Sequence, residues 1–291
     1  MHWLARGAPD HALRFKVELD GVHPAAAVSV RVNGKPYAEA LGKTADYVAE
    51  EKDKEGKVLG SALILRGVTL SDPGSYKVEV KAGDQTRTVT WEVYGTGTTP
   101  KAKNVIFILG DGMSVAHRTA ARIMSRGMAD GKANGRLAMD DLDHMAFIGT
   151  SSTHSIATDS ANTMSAYMTG HKSRVNALGV YADRTPDSLD DPRVETIGEA
   201  LRRTTGKSLG IVSTAELEDA TPAALVSHTR KRGDKPEIVG MFAELQPDVL
   251  LGGGSAYFLK SDVPGSKRKD DKDYIQSFRD AGYTLATTRT E

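Results

Sequence analysis

Val105-Ile106-Phe107-Ile108-Leu109-Gly110-Asp111-Gly112 is the stretch on which the fold reading turns. Five consecutive apolar residues offer water no polar face, so the run predicts a strand buried on both sides, as in a parallel sheet. The glycines flanking Asp111 let a ligand or metal approach the backbone closely. They also place a carboxylate just past a strand end, where open α/β sheets put their sites. Toward the C-terminus, helical and strand patterns alternate. A helical stretch carries Val115, Ala116, Thr119 and Ile123, and a second runs from Val194 to Arg203 and stops near Gly206. Leu209 to Val212 reads as another buried strand, and Pro236 opens a helix bearing Ile238, Val239, Phe242 and Leu245. Val249-Leu250-Leu251 leads into Gly252-Gly253-Gly254, and a last helix around Tyr274 to Phe278 precedes a strand from Tyr283. This order predicts an α/β domain over residues 103–291 with a mostly parallel sheet flanked by helices.

Upstream the period is two. Phe15, Val17 and Leu19 share a face, as do Val28, Val30 and Val32, then Leu63 and Leu65, Val78 and Val80, and Val89, Trp91 and Val93. Asn33-Gly34 and Ala82-Gly83-Asp84 supply the reversals. Short alternating strands at this spacing predict a small all-β sandwich over residues 1–95. Asp72-Pro73-Gly74-Ser75-Tyr76 resembles the D-x-G-x-Y signature of the immunoglobulin-like tyrosine corner, without that fold's disulfide. A plain β-meander is the alternative. Gly95-Thr96-Gly97-Thr98-Thr99-Pro100 reads as a turn-rich joint, with the linker placed at residues 96–102.

Two domains suit 291 residues. Lys plus Arg and Asp plus Glu are each 38, so the net charge is zero, which argues against a dedicated nucleic-acid partner. No run approaches the ~20 apolar residues of a membrane span. The chain has no cysteine, which excludes disulfides, thiolate metal sites and a cysteine nucleophile.

Three segments could do chemistry. Asp111 between its glycines is the first, and an ordinary turn is its plainer reading. Ala157-Thr158-Asp159-Ser160-Ala161-Asn162-Thr163 is the second. Asp159 suits a helix N-cap, which puts Ser160 where free N–H groups and the helix dipole favour a phosphate. A simple cap is the alternative there. The third runs from Glu216 through Asp219 and Thr221 to His228 and Arg232. Asp219 and Thr221 offer the hard oxygens that magnesium takes, and Arg232 can fork onto two phosphate oxygens. A capped helix with a solvated basic stretch is the competing reading. No G-x-S-x-G elbow is present, which disfavours a serine–histidine hydrolase.

Taken together, Gly110-Asp111-Gly112-Met113, Thr158-Asp159-Ser160-Ala161, Ser213 to Leu217, Asp219 to Ala223 and His228-x-x-x-Arg232 resemble the bacterial alkaline phosphatases. Thr169 to Lys172, Asn176 to Val180 and Leu250 to Gly254 are similar to the same family, so the resemblance spans roughly Asn104 to Leu259. A front sandwich also looks like that of one subgroup of these enzymes.

The resemblance implies metal-dependent hydrolysis of small-molecule phosphate monoesters through a phosphoserine intermediate. It makes Ser160 the nucleophile on a zinc ion, and Asp111 a bridge between that zinc and a magnesium. Thr221 and Asp219 are implied at the magnesium, Arg232 as the clamp on the phosphoryl oxygens, and Asp159 as its orienter. It implies a periplasmic or secreted location, although Met1 to Gly7 shows no signal-peptide h-region, and it allows a homodimer.

The family's later metal-ligand segments have no counterpart here, since the last histidine is His228. The expectation is a chain lacking the C-terminal part of the fold, its activity alone left for experiment to decide, with an open sheet edge and a tendency to associate. The alternatives are a phosphodiesterase or phosphonate hydrolase built on the same metal core, or a non-catalytic Ig-like binding protein with a phosphatase remnant.

Overall fold

The computed structural model describes residues 13–70, 72–93 and 102–288. The turn-rich joint at residues 95–100, most of the 96–102 linker and the Met1 to Gly7 stretch lie outside the described residues.

The N-terminal half folds as the alternation dictates. Among the described residues seven strands form: β1 (Leu13–Asp20), β2 (Val28–Val32), β3 (Lys35–Pro36), β4 (Asp46–Lys52), β5 (Val58–Val68), β6 (Gly74–Ala82) and β7 (Gln85–Val93), with a short helix α1 (Tyr37–Leu41) after β3. They make two antiparallel sheets, ordered β1-β5-β4 and β3-β2-β6-β7. Phe15, Val17, Leu19, Leu63 and Leu65 from one sheet meet Val30, Val32, Val78, Trp91 and Val93 from the other in a single buried core. Phe15 and Trp91 pack edge-to-face at 5.0 Å between ring centres. The Asn33-Gly34 turn has φ values of 49° and 81°, both left-handed, which Asn and Gly tolerate best. The Tyr76 hydroxyl donates to the carbonyl of Asp72 at 2.8 Å, closing that corner.

The second half is mixed α/β. Its helices are α2 (Val115–Arg126), α3 (Ser160–Thr169), α4 (Ile197–Thr205), α5 (Ala220–Ala223), α6 (Lys235–Leu245) and α7 (Tyr274–Asp280). A small hairpin, β8 (Met128–Ala129) with β9 (Lys132–Ala133), follows α2. β10 (Gly210–Glu216) and β11 (Val249–Gly253) pair in parallel, Ile211 opposite Leu250. A second core gathers Met164 and Met168 from α3, Leu178, Ile211, Val226, and Ile238, Val239 and Phe242 from α6. Thr196 starts α4 as an N-cap with a reciprocal contact to Glu199, which sets the start later than the apolar pattern suggests.

The mostly parallel sheet is corrected: among the described residues β10 and β11 form the parallel sheet, a single parallel bridge joins Gly21 to Gly60, and the other sheets are antiparallel. Val105 to Leu109 carries no strand, and Val105, Ile106 and Ile108 are 79%, 85% and 89% exposed. A central parallel strand is stabilised by neighbours on both sides. No described strand flanks this run, so its apolar side chains stay at the surface. Phe147, Ile148, Val212 and Leu251 are exposed as well. Residues 283–288, the described part of the segment from Tyr283, likewise form no strand.

The two halves meet at residues 181–184. Tyr181 packs against the sandwich core, and the Asp183 and Arg184 side chains bond to residues of β1, β4 and β5. Asp191 lies behind this segment, 2% exposed, its Oδ1 accepting the Asp183 amide at 2.6 Å. Burial pushes its carboxyl up to about 7. The folded chain therefore keeps a proton there that the unfolded chain releases near pH ~4. The associated stability is complete below that value and is lost as pH rises through 7, amounting to about 2–4 kcal/mol. Asp191→Asn keeps the accepting oxygen and removes the titration. Its Tm is expected to fall less than the parent's between pH 4.5 and 8, and parallel melting curves across that range would refute the assignment.

Candidate active site

Ser160 is the first residue of α3, half-buried, at a helix start built by local chemistry. Asp159 caps the helix by accepting the Asn162 amide at 3.3 Å. The Asn162 side-chain oxygen returns to accept the Asp159 amide at 3.2 Å and the Thr158 hydroxyl at 2.5 Å. Small residues behind the cap, Ala161 among them, let the helix sink into the second core. Ser160 thus stands on a fixed backbone at a positive helix end.

Arg232 arrives from a different segment. Its Nη1 donates to Ser160 Oγ at 3.0 Å and to Asp159 Oδ2 at 3.2 Å, and its Nη2 donates to Asp219 Oδ1 at 2.8 Å. Two acids therefore hold the guanidinium over the serine, and two of its five donors remain for a ligand's oxygens. Burial would raise the Asp219 carboxyl, but the Arg232 guanidinium, the Ala220 amide and the Lys235 charge together outweigh it and hold the group below the usual range. Burial lowers the Arg232 pKa less than Asp219 and Asp159 raise it, so the net shift is upward.

Thr221, two residues after Asp219 on the one-turn α5, donates its hydroxyl to Asp111 Oδ2 at 2.7 Å. Asp111 itself is exposed. The six residues singled out in the sequence thus form two linked groups: Ser160, Asp159, Arg232 and Asp219 around the guanidinium, and Asp111 with Thr221 beside it. Asp219 and Thr221 on one short segment join them. Among the described residues no group of three His, Cys, Asp or Glu side chains stands close enough to hold a metal ion.

The sequence reading missed what ties these segments together. Asn176 has φ 72°, its amide donates to Asp159 Oδ1 at 3.2 Å, and its carbonyl accepts the Arg232 amide at 2.8 Å. One left-handed residue therefore joins the cap of α3 to the backbone that carries the guanidinium. An Asn in a loop is the one local hint of such a conformation. His228 is 3% exposed, its ring between Glu199 Oε1 at 2.7 Å and the Gly179 carbonyl at 2.8 Å. It braces α4 against the Arg232 segment.

The comparisons with known proteins place the second half. The alkaline phosphatase family model matches residues 102–291. The tissue-nonspecific alkaline phosphatase isozyme of Gallus gallus is 34% identical over 208 residues, covering 62% of this chain and 40% of that protein. Streptomycin-6-phosphate phosphatase of Streptomyces griseus is 32% identical over 264 residues, covering 82% of this chain and 51% of that protein. That second match is larger than residues 102–291 and so reaches into the sandwich. The cold-active alkaline phosphatase of Shewanella sp. superposes with a TM-score of 0.50 at 27% identity, covering 62% of this chain and 40% of that one. The chain spans about half or less of the length of these relatives.

Proposed function

This chain belongs to the alkaline phosphatase family, and from that premise we propose that its site hydrolyses small-molecule phosphate monoesters through a phosphoserine on Ser160. The observation that carries the reading is the Arg232 guanidinium, held by Asp159 and Asp219 at 3.0 Å from the Ser160 hydroxyl. A phosphoryl group seated between them would place two non-bridging oxygens on the free donors of Arg232. Ser160 Oγ then displaces the alcohol by forming an O–P bond as the ester O–P bond breaks, and the serine proton leaves with the alcohol. Water opens the phosphoserine in the second step, returning the serine hydroxyl and inorganic phosphate. Positioning and charge neutralisation are what this transfer requires of a protein.

A magnesium ion fits the donor set of Asp111 and Thr221, hard oxygens already within 2.7 Å of one another, with Asp219 on the same segment as Thr221. When bound, it would supply positive charge to the phosphoryl oxygens. Zinc does not fit the described residues alone, because a catalytic zinc takes about three protein ligands and no such cluster is present among them. The zinc part of the reading therefore calls for donors outside the described residues. The exposed apolar residues Val105, Ile106, Ile108, Phe147 and Ile148 support the same view. They are the surface that further polypeptide of the fold would cover.

The sandwich is read as Ig-like, supported by the Tyr76 hydroxyl bond at its corner. The two domains are placed at residues 1–95 and 103–291 with the joint between them. A periplasmic or secreted location is inferred from the family. No described helix is long and apolar enough to cross a membrane.

The test is p-nitrophenyl phosphate hydrolysis at alkaline pH by the full chain supplied with magnesium and zinc. Turnover that stops on chelation and returns with metal is expected. Folded, metal-supplied chain without turnover would overturn the reading for this polypeptide.

A further inference from the structure

Lys16 lies between Phe15 and Val17, whose side chains enter the sandwich core, so the two-residue period turns it to the outer face of β1. A lysine there normally reaches water, yet Lys16 is 2% exposed. Its ammonium meets three carboxylates, Glu51 at 2.6 Å, Asp183 at 2.8 Å and Glu18 at 3.1 Å. That is one acceptor for each of its three N–H donors. Burial pulls its pKa down, and the Asp183 and Glu51 contacts outweigh this and raise it. Glu18 and Glu51 belong to the sandwich, while Asp183 belongs to the other half. Arg184 adds bonds from its Nε to Glu51 at 2.7 Å and from its Nη2 to the carbonyls of Ser61 at 3.0 Å and Leu19 at 3.2 Å.

The same Asp183 leads toward the serine. Its carbonyl accepts Arg230 Nη1 at 2.8 Å, and its carboxylate receives that nitrogen at 3.3 Å. Arg230 Nη2 donates to the Asp187 carbonyl at 2.7 Å, and the Arg230 amide to the Ser188 carbonyl at 2.9 Å. Two residues later stands Arg232. A buried ion cluster adds little net stability over apolar packing of the same volume. What three directed bonds do provide is a single register between the two halves.

We propose that Lys16 is a positioning residue for Arg232: through Asp183 and Arg230, the sandwich fixes where the phosphate-facing guanidinium stands over Ser160. The proposal rests on the phosphatase reading for its catalytic readout but not for its structural one. The full chain is compared with Lys16→Met, which keeps most of the stem and loses the charge, with Lys16→Arg, which keeps the charge, and with Asp183→Asn, which weakens the link if the methionine variant does not fold.

In Lys16→Met or Asp183→Asn, amide exchange at residues 229–232 is expected to quicken roughly ten-fold while β6, β7 and α6 keep parental rates. The KM for p-nitrophenyl phosphate should rise about ten-fold with kcat changed less than about two-fold, the pattern of lost binding shared equally by the ground and transition states. Lys16→Arg should restore most of both. Faster exchange confined to β1, β4, β5 and residues 181–185, with 229–232 at the parental rate, would overturn the proposal. Exchange is read without substrate, so a parent lacking turnover refutes the phosphatase reading and leaves this test intact.

Discussion

Ser160→Ala is expected to lower p-nitrophenyl phosphate turnover by a factor of about 10⁴ or more, with the fold and the phosphate clamp intact. Alanine is fully compatible with the first turn of a helix, and the cap of α3 comes from Asp159 and Asn162, not from the serine. Asp159 and Asp219 hold Arg232 without help from the serine hydroxyl. The variant should therefore still bind inorganic phosphate within roughly three-fold of the parent, by calorimetry or competition, because the guanidinium supplies the directed bonds. Loss of catalysis with retained binding separates a nucleophile from a residue that merely shapes the pocket. Turnover above a tenth of the parental rate would remove Ser160 from the mechanism. Acid quenching during turnover gives a second readout: phosphate should be trapped covalently on the parent and not on the variant.

What could be read in the sequence was local. The alternation Phe15-x-Val17-x-Leu19 and its counterparts at Val30, Val32, Val78 and Trp91 marked the sandwich core, because a period of two leaves a strand one way to bury its apolar face. Asp159 before a run of small residues marked the start of α3, and Asp219-x-Thr221 fell on the segment that approaches Asp111. Val105 to Leu109 shows the limit. Its composition states that it prefers burial, but burial needs neighbours, and a strand is defined by partners that a linear pattern does not contain. Lys16 shows the converse. At an outward position of β1 its type predicts solvent, and two of the three carboxylates that hold its ammonium stand 35 and 167 positions away in the chain, where a local pattern does not show them. The joining roles of Asn176 and His228 were not legible for the same reason, since each works by connecting segments distant in sequence.

Those joints also identify where the structure is least forgiving. Gly179→Ala is expected to destabilise the chain by about 3–5 kcal/mol, enough to leave a marginal domain largely unfolded at 37 °C. Gly179 sits at φ 56°, a left-handed conformation that costs an alanine about 1 kcal/mol before any contact is counted. A Cβ there would press into the Ser227 carbonyl oxygen and lie 2.8 Å from His228 Nδ1. Neither group can retreat cheaply. Ser227 is fully buried, and the His228 ring is fixed by Glu199 on its far side. The Gly179 amide donates to Ser165 Oγ on α3 at 2.9 Å, and its carbonyl accepts both the Val194 amide and the His228 ring. A shift that relieved the clash would therefore move α3, which carries Ser160, against the segment that ends in Arg232. Urea unfolding followed by circular dichroism should show a lower midpoint with a nearly unchanged m-value. In any fraction that folds, the gap between the guanidinium and the serine should widen, so that phosphate binding weakens along with stability. A variant as stable as the parent would mean that residues 178–180 pack loosely against 227–229, contrary to the paired Leu178 and Thr229 backbone bonds of 2.8 and 2.9 Å.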